Sequence, residues 1–338
     1  MIRVGVIGFG KMGLLHASIL SVLPCVQLVA VCERNLPTRI SASRLLNRVK
    51  VVRSMEELSL LGLDAAYVTT PASSHFAVAA AVYSKHIAKH VFVEKPLACS
   101  GDEATRLCSL AEDAGGVNMV GYNRRFIPIF VKAKEIVDDG ILGEVGYFEA
   151  RAHSSDFVGT SRNAGPPAAI GGVLSDLGCH AIDLALWFLG SLEIVSARTQ
   201  SRSGSDSEDS AHFSVRSPGG FDGEFHISWC MEDYRLPEIA LLVQGSKGEI
   251  SVNEDTLKLN LNKGQSTIWH RPNLDDKASY LLGGTEYFRE DEVFARAILG
   301  ECAGEPDFRA AAVVDRMIDQ VRLVASTGEQ SRKSPVGR

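Results

Sequence analysis

RVGVIGFGKMG, residues 3–13, runs a short apolar, β-branched stretch into three glycines, Gly8, Gly10 and Gly13. The stretch has the length of a buried strand, and residues 12–22 carry a helical pattern, so the glycines fall where a strand turns into a helix. In that setting G-x-G-x-x-G becomes a specific signal. Gly8 permits the tight turn, Gly10 lets the backbone approach a diphosphate, and Gly13 allows close helix–strand packing, with Phe9, Lys11 and Met12 completing the turn. The helix N-terminus adds partial positive charge. Glu33 follows twenty residues after Gly13, at the end of the second strand, where a carboxylate accepts a hydrogen bond from a ribose 2′-hydroxyl and repels a 2′-phosphate. NAD is the cofactor these residues favour. Arg34 beside it can bind such a phosphate or stack on adenine, so NADP is not excluded.

Outward from this turn, apolar runs over 27–32, 50–53, 65–69, 90–93 and 117–122 alternate with helical patterns over 74–84 and 101–114 and a capping box, Ser54 to Glu57. Nearly continuous apolar strands separated by helices imply a doubly wound parallel sheet covered on both faces, an α/β Rossmann domain over 1–122. Ligands bind at the carboxyl ends of strands in such a sheet. The fourth strand ends in Thr69, Thr70 and Pro71, followed by His75, and the fifth in Glu94, Lys95 and Pro96, so Gly8, Glu33, Thr70 and Lys95 are expected to line one crevice. A lysine beside a carboxylate is ordinarily an ion pair; at a nicotinamide-binding edge it becomes a proton donor with a lowered pKa.

After a helix over 128–139 the pattern changes to alternation: VGYFEARAH (145–153), EIVSARTQ (193–200), AHFSVRS (211–217), GEFHISWC (223–230), IALLVQG (239–245), EISVNE (249–254) and LKLNLN (257–262). Alternation argues for an antiparallel sheet with one face less buried, within a C-terminal α+β domain over 123–328. Helical pattern returns over 286–326, residues 201–210 read as a solvated loop, and 329–338 as a disordered tail.

Composition sets the outer limits. The chain has 338 residues, 45% hydrophobic and 22% charged, enough for two domains. A net charge of −6 offers no basic footprint for nucleic acid or an anionic membrane. Seven scattered cysteines without a C-x-x-C pair fit neither a disulfide framework nor a zinc site, and point to a reducing compartment. No signal-peptide pattern follows Met1, and Pro24 and Gln27 interrupt the most apolar early run. A cytoplasmic protein without nucleic-acid or membrane partners is expected. The spacing of the nine histidines suggests no metal.

One stretch resists a purely structural reading. GGVLSDLGCHAIDLALW (171–187) is an apolar helix, yet Asp176, His180 and Asp183 stand four and then three residues apart, on one side of an α-helix. Unpaired burial of such a row is costly.

Taken together and in order, GFGKMG, VTTPASSH, AKHVFVEKP, VGYNRRF and GGVLSDLGCHAIDLALW resemble the glucose–fructose oxidoreductase / inositol dehydrogenase / MocA family over essentially the whole chain. The resemblance implies an N-terminal Rossmann domain, a C-terminal domain on a large open antiparallel sheet, a nicotinamide cofactor, and oxidation or reduction of a hydroxyl or ketone on a sugar, cyclitol or sugar derivative. It implies a homo-oligomer, dimer or tetramer, through the open sheet, and often a cis Lys-Pro bond, here Lys95–Pro96. It also implies that Lys95, Asp176 and His180 face the nicotinamide. An imidazole suits proton transfer near neutral pH, so His180 is assigned as general base in oxidation, Asp176 as its orienter or a substrate ligand, and Lys95 as the group polarising the reacting oxygen. Sequence leaves open an exchange of roles between His180 and Lys95. Asp183 is balanced between a cap and a supporting partner. Asn123 and Arg124 are candidates for nicotinamide or substrate contact; Arg125 and Phe126 for joining the domains. His16 and His75 occupy positions common in the family, which packing or capping explains. The loop before the helix lacks the tryptophan found in sugar-specific relatives and offers Arg162 and Asn163, an arginine suited to a substrate carboxylate or phosphate. Two other functions use the fold: an NAD-dependent glycosidase without net redox change, and a dinucleotide-sensing regulator, against which the retained Lys95, Asp176 and His180 argue.

Overall fold

The computed structural model describes residues 1–156, 171–201, 207–274, 278 and 282–333, with side chains to 327. The chain divides into two compact units: Met1–Phe126 with Lys277–Asp315, and Ile127–Asp276 with Arg316–Arg338.

The first unit is built on a six-stranded sheet, every pair parallel, in the order β3-β2-β1-β4-β5-β6. Its strands are β1 Ile2–Ile7, β2 Val26–Cys32, β3 Lys50–Val52, β4 Ala65–Val68, β5 His90–Val93 and β6 Asn118–Val120. β4 is buried along its whole length, which is why it reads as an unbroken apolar run. Between the strands lie α1 Lys11–Leu20, α2 Leu36–Leu45, α3 Met55–Ser59, α4 His75–Ser84 and α5 Gly101–Ala114. α2 is absent from the sequence expectation. Its start is nonetheless encoded: the Asn35 side chain accepts from the Thr38 amide at 3.0 Å, and Pro37 sits in the first turn. Of the expected capping box, Ser54 caps Glu57 N, while the Glu57 carboxylate reaches the Arg53 amide instead of that of Ser54.

A later segment, Thr285–Ile298 (α8), belongs to the first unit although the linear division places it in the second domain. Phe288, Phe294 and Ala295 from α8 join Val4, Val6, Ile19, Tyr67 and Phe92 in one core. Burying those side chains is what binds the return segment to the sheet.

In the second unit the strands β7 Val145–His153, β8 Glu193–Gln200, β9 Ser210–Arg216, β10 Asp222–Ser228, β11 Glu238–Gly245, β12 Gly248–Val252, β13 Thr256–Leu261 and β14 Ser266–His270 form one sheet ordered β14-β13-β12-β11-β7-β10-β9-β8. The sheet is antiparallel except between β7 and β10, which run parallel, a correction to the purely antiparallel expectation. The two strands are far apart in sequence, and alternation reports burial of one face, not direction. That face holds Phe148, Phe213, Phe225, Ile227 and Val243. Helices α6 Pro128–Asp138 and α7 Cys179–Leu189 pack on the sheet, and α9, Phe308–Lys333, ends the described chain. Among the described residues no helix is long and apolar enough to cross a membrane.

The Gly8–Gly13 turn has little slack. Gly8 holds φ +92°, and a Cβ on Gly13 would collide with the Gly8 carbonyl oxygen, whereas one on Gly10 would meet nothing within 4 Å. Gly13→Ala should therefore cost about 1–3 kcal/mol in chemical denaturation of the first unit, and Gly10→Ala less than about 0.5 kcal/mol. Equal losses would contradict this packing.

Candidate active site

At the carboxyl ends of β1 to β4 the first unit encloses a cavity of about 730 Å³. Gly8, Gly10, Lys11 and Met12 line it from the glycine turn, Glu33 and Arg34 from the end of β2, and Thr70 and Pro71 from the end of β4. Asn35, Thr38, Arg53, Ser54, Met55 and Ser74 also line it and were missed. The end of β3 was legible as a strand end, and the strand-end rule would have pointed to Arg53 and Ser54.

Glu33 does more than face this cavity. Its Oε2 accepts from the Phe9 amide at 2.8 Å and its Oε1 from the Asn35 amide at 2.7 Å, so the carboxylate holds the glycine turn in place. Each oxygen keeps a lone pair for a ribose hydroxyl. Thr69 Oγ1 donates to the Gly8 carbonyl at 2.7 Å, fixing the same turn from β4. Phe9 and Gly13 are buried and serve packing.

The remaining expected residues of this unit are not among those that line the cavity. His75 is buried, with Nδ1 2.7 Å from the Pro96 carbonyl and Nε2 2.8 Å from that of Thr70, tying together the chain segments that follow β4 and β5. Burial pushes its pKa down, against those two carbonyls. Lys95 is half-buried and the Lys95–Pro96 bond is cis. Its backbone amide donates to Glu94 Oε2 at 3.2 Å. Asn123 is buried and Arg124 half-buried in the short turn Asn123–Phe126, with Arg124 Nη1 3.4 Å from Asn123 Oδ1.

Behind Glu94 lies a buried cluster that no motif announced. His16 Nε2 is 2.8 Å from Glu94 Oε1, and its Nδ1 is 2.9 and 3.0 Å from the two oxygens of Asp291. Glu290 is fully buried, and neither of its carboxyl oxygens meets a hydrogen-bonding partner among the described residues. Burial works against charge on His16, but the Asp291 and Glu94 carboxylates outweigh it and hold its pKa well above the usual imidazole value. Burial drives Glu290 well above the usual carboxyl range, opposed by the His16 charge, and raises Asp291 as well. A second grouping comes from sheet register: His212 stands opposite His226, and Glu224 Oε2 lies 3.6 and 3.4 Å from their Nε2 atoms. The expectation of no metal rested on spacing along the chain, which hides both groupings.

In the second unit the expected helix contains a π-turn, Leu174–Gly178, before regular α-helix begins at Cys179. Asp176 falls within the π-turn, and His180 and Asp183 on the regular helix that follows. Asp176 is half-buried; His180 and Asp183 are buried. The start of this helix is clamped. Glu208 accepts through its carbonyl from Val173 N at 2.9 Å and through Oε1 from Leu174 N at 3.3 Å, while Arg322 Nη2 donates to Gly171 O, Ser175 Oγ and Glu208 Oε1 at 2.6, 3.0 and 2.8 Å. Arg162 and Asn163 lie outside the described residues.

Residues 2–122 match the sequence profile of an oxidoreductase family with an NAD-binding Rossmann fold, and residues 130–251 that of the GFO/IDH/MocA C-terminal domain. Among curated proteins, the chain is 29% identical over 211 residues to scyllo-inositol 2-dehydrogenase (NAD(+)) of Bacillus subtilis (strain 168), covering 60% of this chain and 57% of that one. It is 28% identical over 194 residues to myo-inositol 2-dehydrogenase of Thermotoga maritima, covering 56% and 55%. The matches thus span little more than half of these relatives. Among solved structures, levoglucosan dehydrogenase in complex with NADH and L-sorbose superposes with a TM-score of 0.86 at 20% identity over 96% of this chain and 97% of that one, a likeness of fold. GenD2 from gentamicin A biosynthesis, in complex with NAD, gives 0.79 at 26% identity over 97% and 95%.

The cluster behind Glu94 has a consequence for pH. A raised folded-state pKa means that folded Glu290 keeps its proton above about pH 4.5, where the unfolded chain releases it. Its effect on stability is therefore lost as pH rises from there through the folded pKa, and His16 adds a loss of the same sign beginning near the unfolded value of about 6.5. Glu290→Gln carries no proton to lose. Its melting temperature should gain on that of the parent protein as pH rises from about 5 to 8; a difference constant with pH would show that Glu290 is not protonated in the folded chain.

Proposed function

This chain belongs to the Gfo/Idh/MocA oxidoreductase family, with an NAD-binding Rossmann domain over residues 2–122, and we propose that it is a dehydrogenase moving a hydride between NAD and a secondary hydroxyl or ketone of a sugar, cyclitol or sugar derivative. The observation that carries the reading is the strand-end cavity in which the glycine turn, Glu33 and Thr70 meet. The residues there suit the cofactor: Gly10 leaves open space where a side chain would obstruct a diphosphate, and the Glu33 oxygens retain acceptor capacity for ribose hydroxyls. The names of the inositol dehydrogenases among the relatives support a cyclitol or sugar as substrate.

When bound, the nicotinamide supplies the site that accepts or returns the hydride. The protein's own part is the proton and the charge. In oxidation His180 removes the hydroxyl proton at a ring nitrogen and in reduction returns it, Asp176 orients that ring or a substrate hydroxyl, and the Lys95 ammonium stabilises negative charge building on the oxygen. Lys95 belongs to the first unit and the acid–imidazole pair to the second. Asn123 and Arg124 complete the substrate contacts. The half-exposed face of the eight-stranded sheet, with Glu149, Arg151, Glu224 and His226, is assigned to self-association into a dimer or tetramer.

The test is a spectrophotometric screen of NAD⁺ and NADP⁺ against cyclitols, aldoses, uronates and sugar nucleotides. Reduced cofactor is expected with one substrate class, more strongly with NAD⁺. Lys95→Ala and His180→Asn should each lower kcat by about 10²–10⁴-fold while NADH binding, read by its fluorescence, persists. Intact binding with silence across the panel, or a fully active Lys95→Ala, would contradict the proposal.

A further inference from the structure

Glu94 connects the buried cluster to the site. Its Oε2 accepts from the Lys95 backbone amide, its Oε1 meets His16, and the carboxylate lies directly over Gly121, where a Cβ would come within 3.1 Å of it. That close approach restricts where this side chain can lie. The direction in which Lys95 leaves the backbone therefore depends on what holds Glu94, and the hydrogen bond to its Oε1 comes from His16.

His16 is itself fixed from three sides. Asp291 engages Nδ1 through both oxygens, and the ring is packed against Phe92 and Tyr67, with centroids 5.1 and 5.4 Å away, and against the edge of Tyr287 at 6.4 Å. With Glu94 and Asp291 ionised, the contact of both ring nitrogens with carboxylate oxygens places an N–H on each, the imidazolium form that the two carboxylates favour. One cation then faces Glu94 and Asp291. A third negative charge on Glu290, one of whose oxygens lies within 4.8 Å of both the His16 and Glu94 ligand atoms and neither of which meets a donor among the described residues, would be unsupported in a dry site. Glu290 as a neutral acid leaves His16 free to serve Glu94.

We propose that His16 is a positioning residue for Lys95, acting through Glu94: it holds the Glu94 carboxylate where the second oxygen fixes the lysine backbone. The inference rests on the reading of Lys95 given above. It assigns a task to a histidine that follows the glycine turn by three residues, so that the helix opening the dinucleotide cavity also orders the lysine after β5.

The two ring nitrogens can be tested separately. Asn in place of His16 reproduces the donor at Nδ1, toward Asp291, and loses the one toward Glu94; Gln reproduces the donor at Nε2, toward Glu94, and loses the other. The primary readout needs no substrate: the rate at which Lys95 is acetylated by N-hydroxysuccinimidyl acetate, followed by peptide mass spectrometry with the other lysines as internal controls. His16→Asn should change the Lys95 rate by at least about fivefold and leave the other lysines alone, while His16→Gln stays within about twofold. With a substrate from the screen, His16→Asn should lower kcat by about 100-fold with KM for the dinucleotide within about threefold. A Lys95 rate unchanged in His16→Asn, or equal effects of both variants that track their melting temperatures, would overturn the proposal and leave His16 a packing residue. Full turnover in Lys95→Ala would instead remove the catalytic reading of Lys95, a failure that the acetylation contrast does not share.

Discussion

The close approach of α1 to β1 at Gly13 is the constraint on which the first unit depends. With no Cβ at Gly13, the helix comes down on the Gly8 carbonyl, and its N-terminus points across the cavity at the strand ends. Three residues further along the same helix, His16 arrives at Glu94 and Asp291. A helix held further from the strand by even one methyl group would have to move both ends of this arrangement, the turn that Glu33 and Thr69 secure and the imidazole that joins β5 to α8.

Four ionisable side chains buried together, His16, Glu94, Glu290 and Asp291, run against the ordinary preference for an apolar core. They are enclosed by Tyr67, Phe92 and Phe294, which stack on or edge against one another at 4.7–5.8 Å. Such an enclosure strengthens the attraction between imidazolium and carboxylates and raises the cost of any unmatched charge. Replacing the set by apolar residues would be compatible with folding. Its place beside Glu94 fits a set that supplies orientation to the neighbouring Lys95.

Much of this was legible because parallel strands buried on both faces cannot hide. The six strands of the first sheet stand within a residue or two of the apolar runs at 3–7, 27–32, 50–53, 65–69, 90–93 and 117–122. The glycine turn and Glu33 were equally plain, their chemistry being local. What escaped was non-local. His16 meets Asp291 across 275 residues of chain, and no spacing announces that α8 returns to the first sheet. The parallel pairing of β7 with β10 and the His212–His226 juxtaposition depend on register, which alternation leaves undetermined. The π-turn at Leu174–Gly178 is a backbone adjustment inside an apolar helix, invisible to hydrophobic periodicity.

The account stands or falls on where the dinucleotide lies in the first unit. A crystal structure with NADH should place the diphosphate at the N-terminus of α1 over Gly10, the adenosine ribose hydroxyls on Glu33, and the nicotinamide toward the Lys95 end of the sheet. A diphosphate bound away from the glycine turn, or a nicotinamide turned away from Lys95, would contradict it.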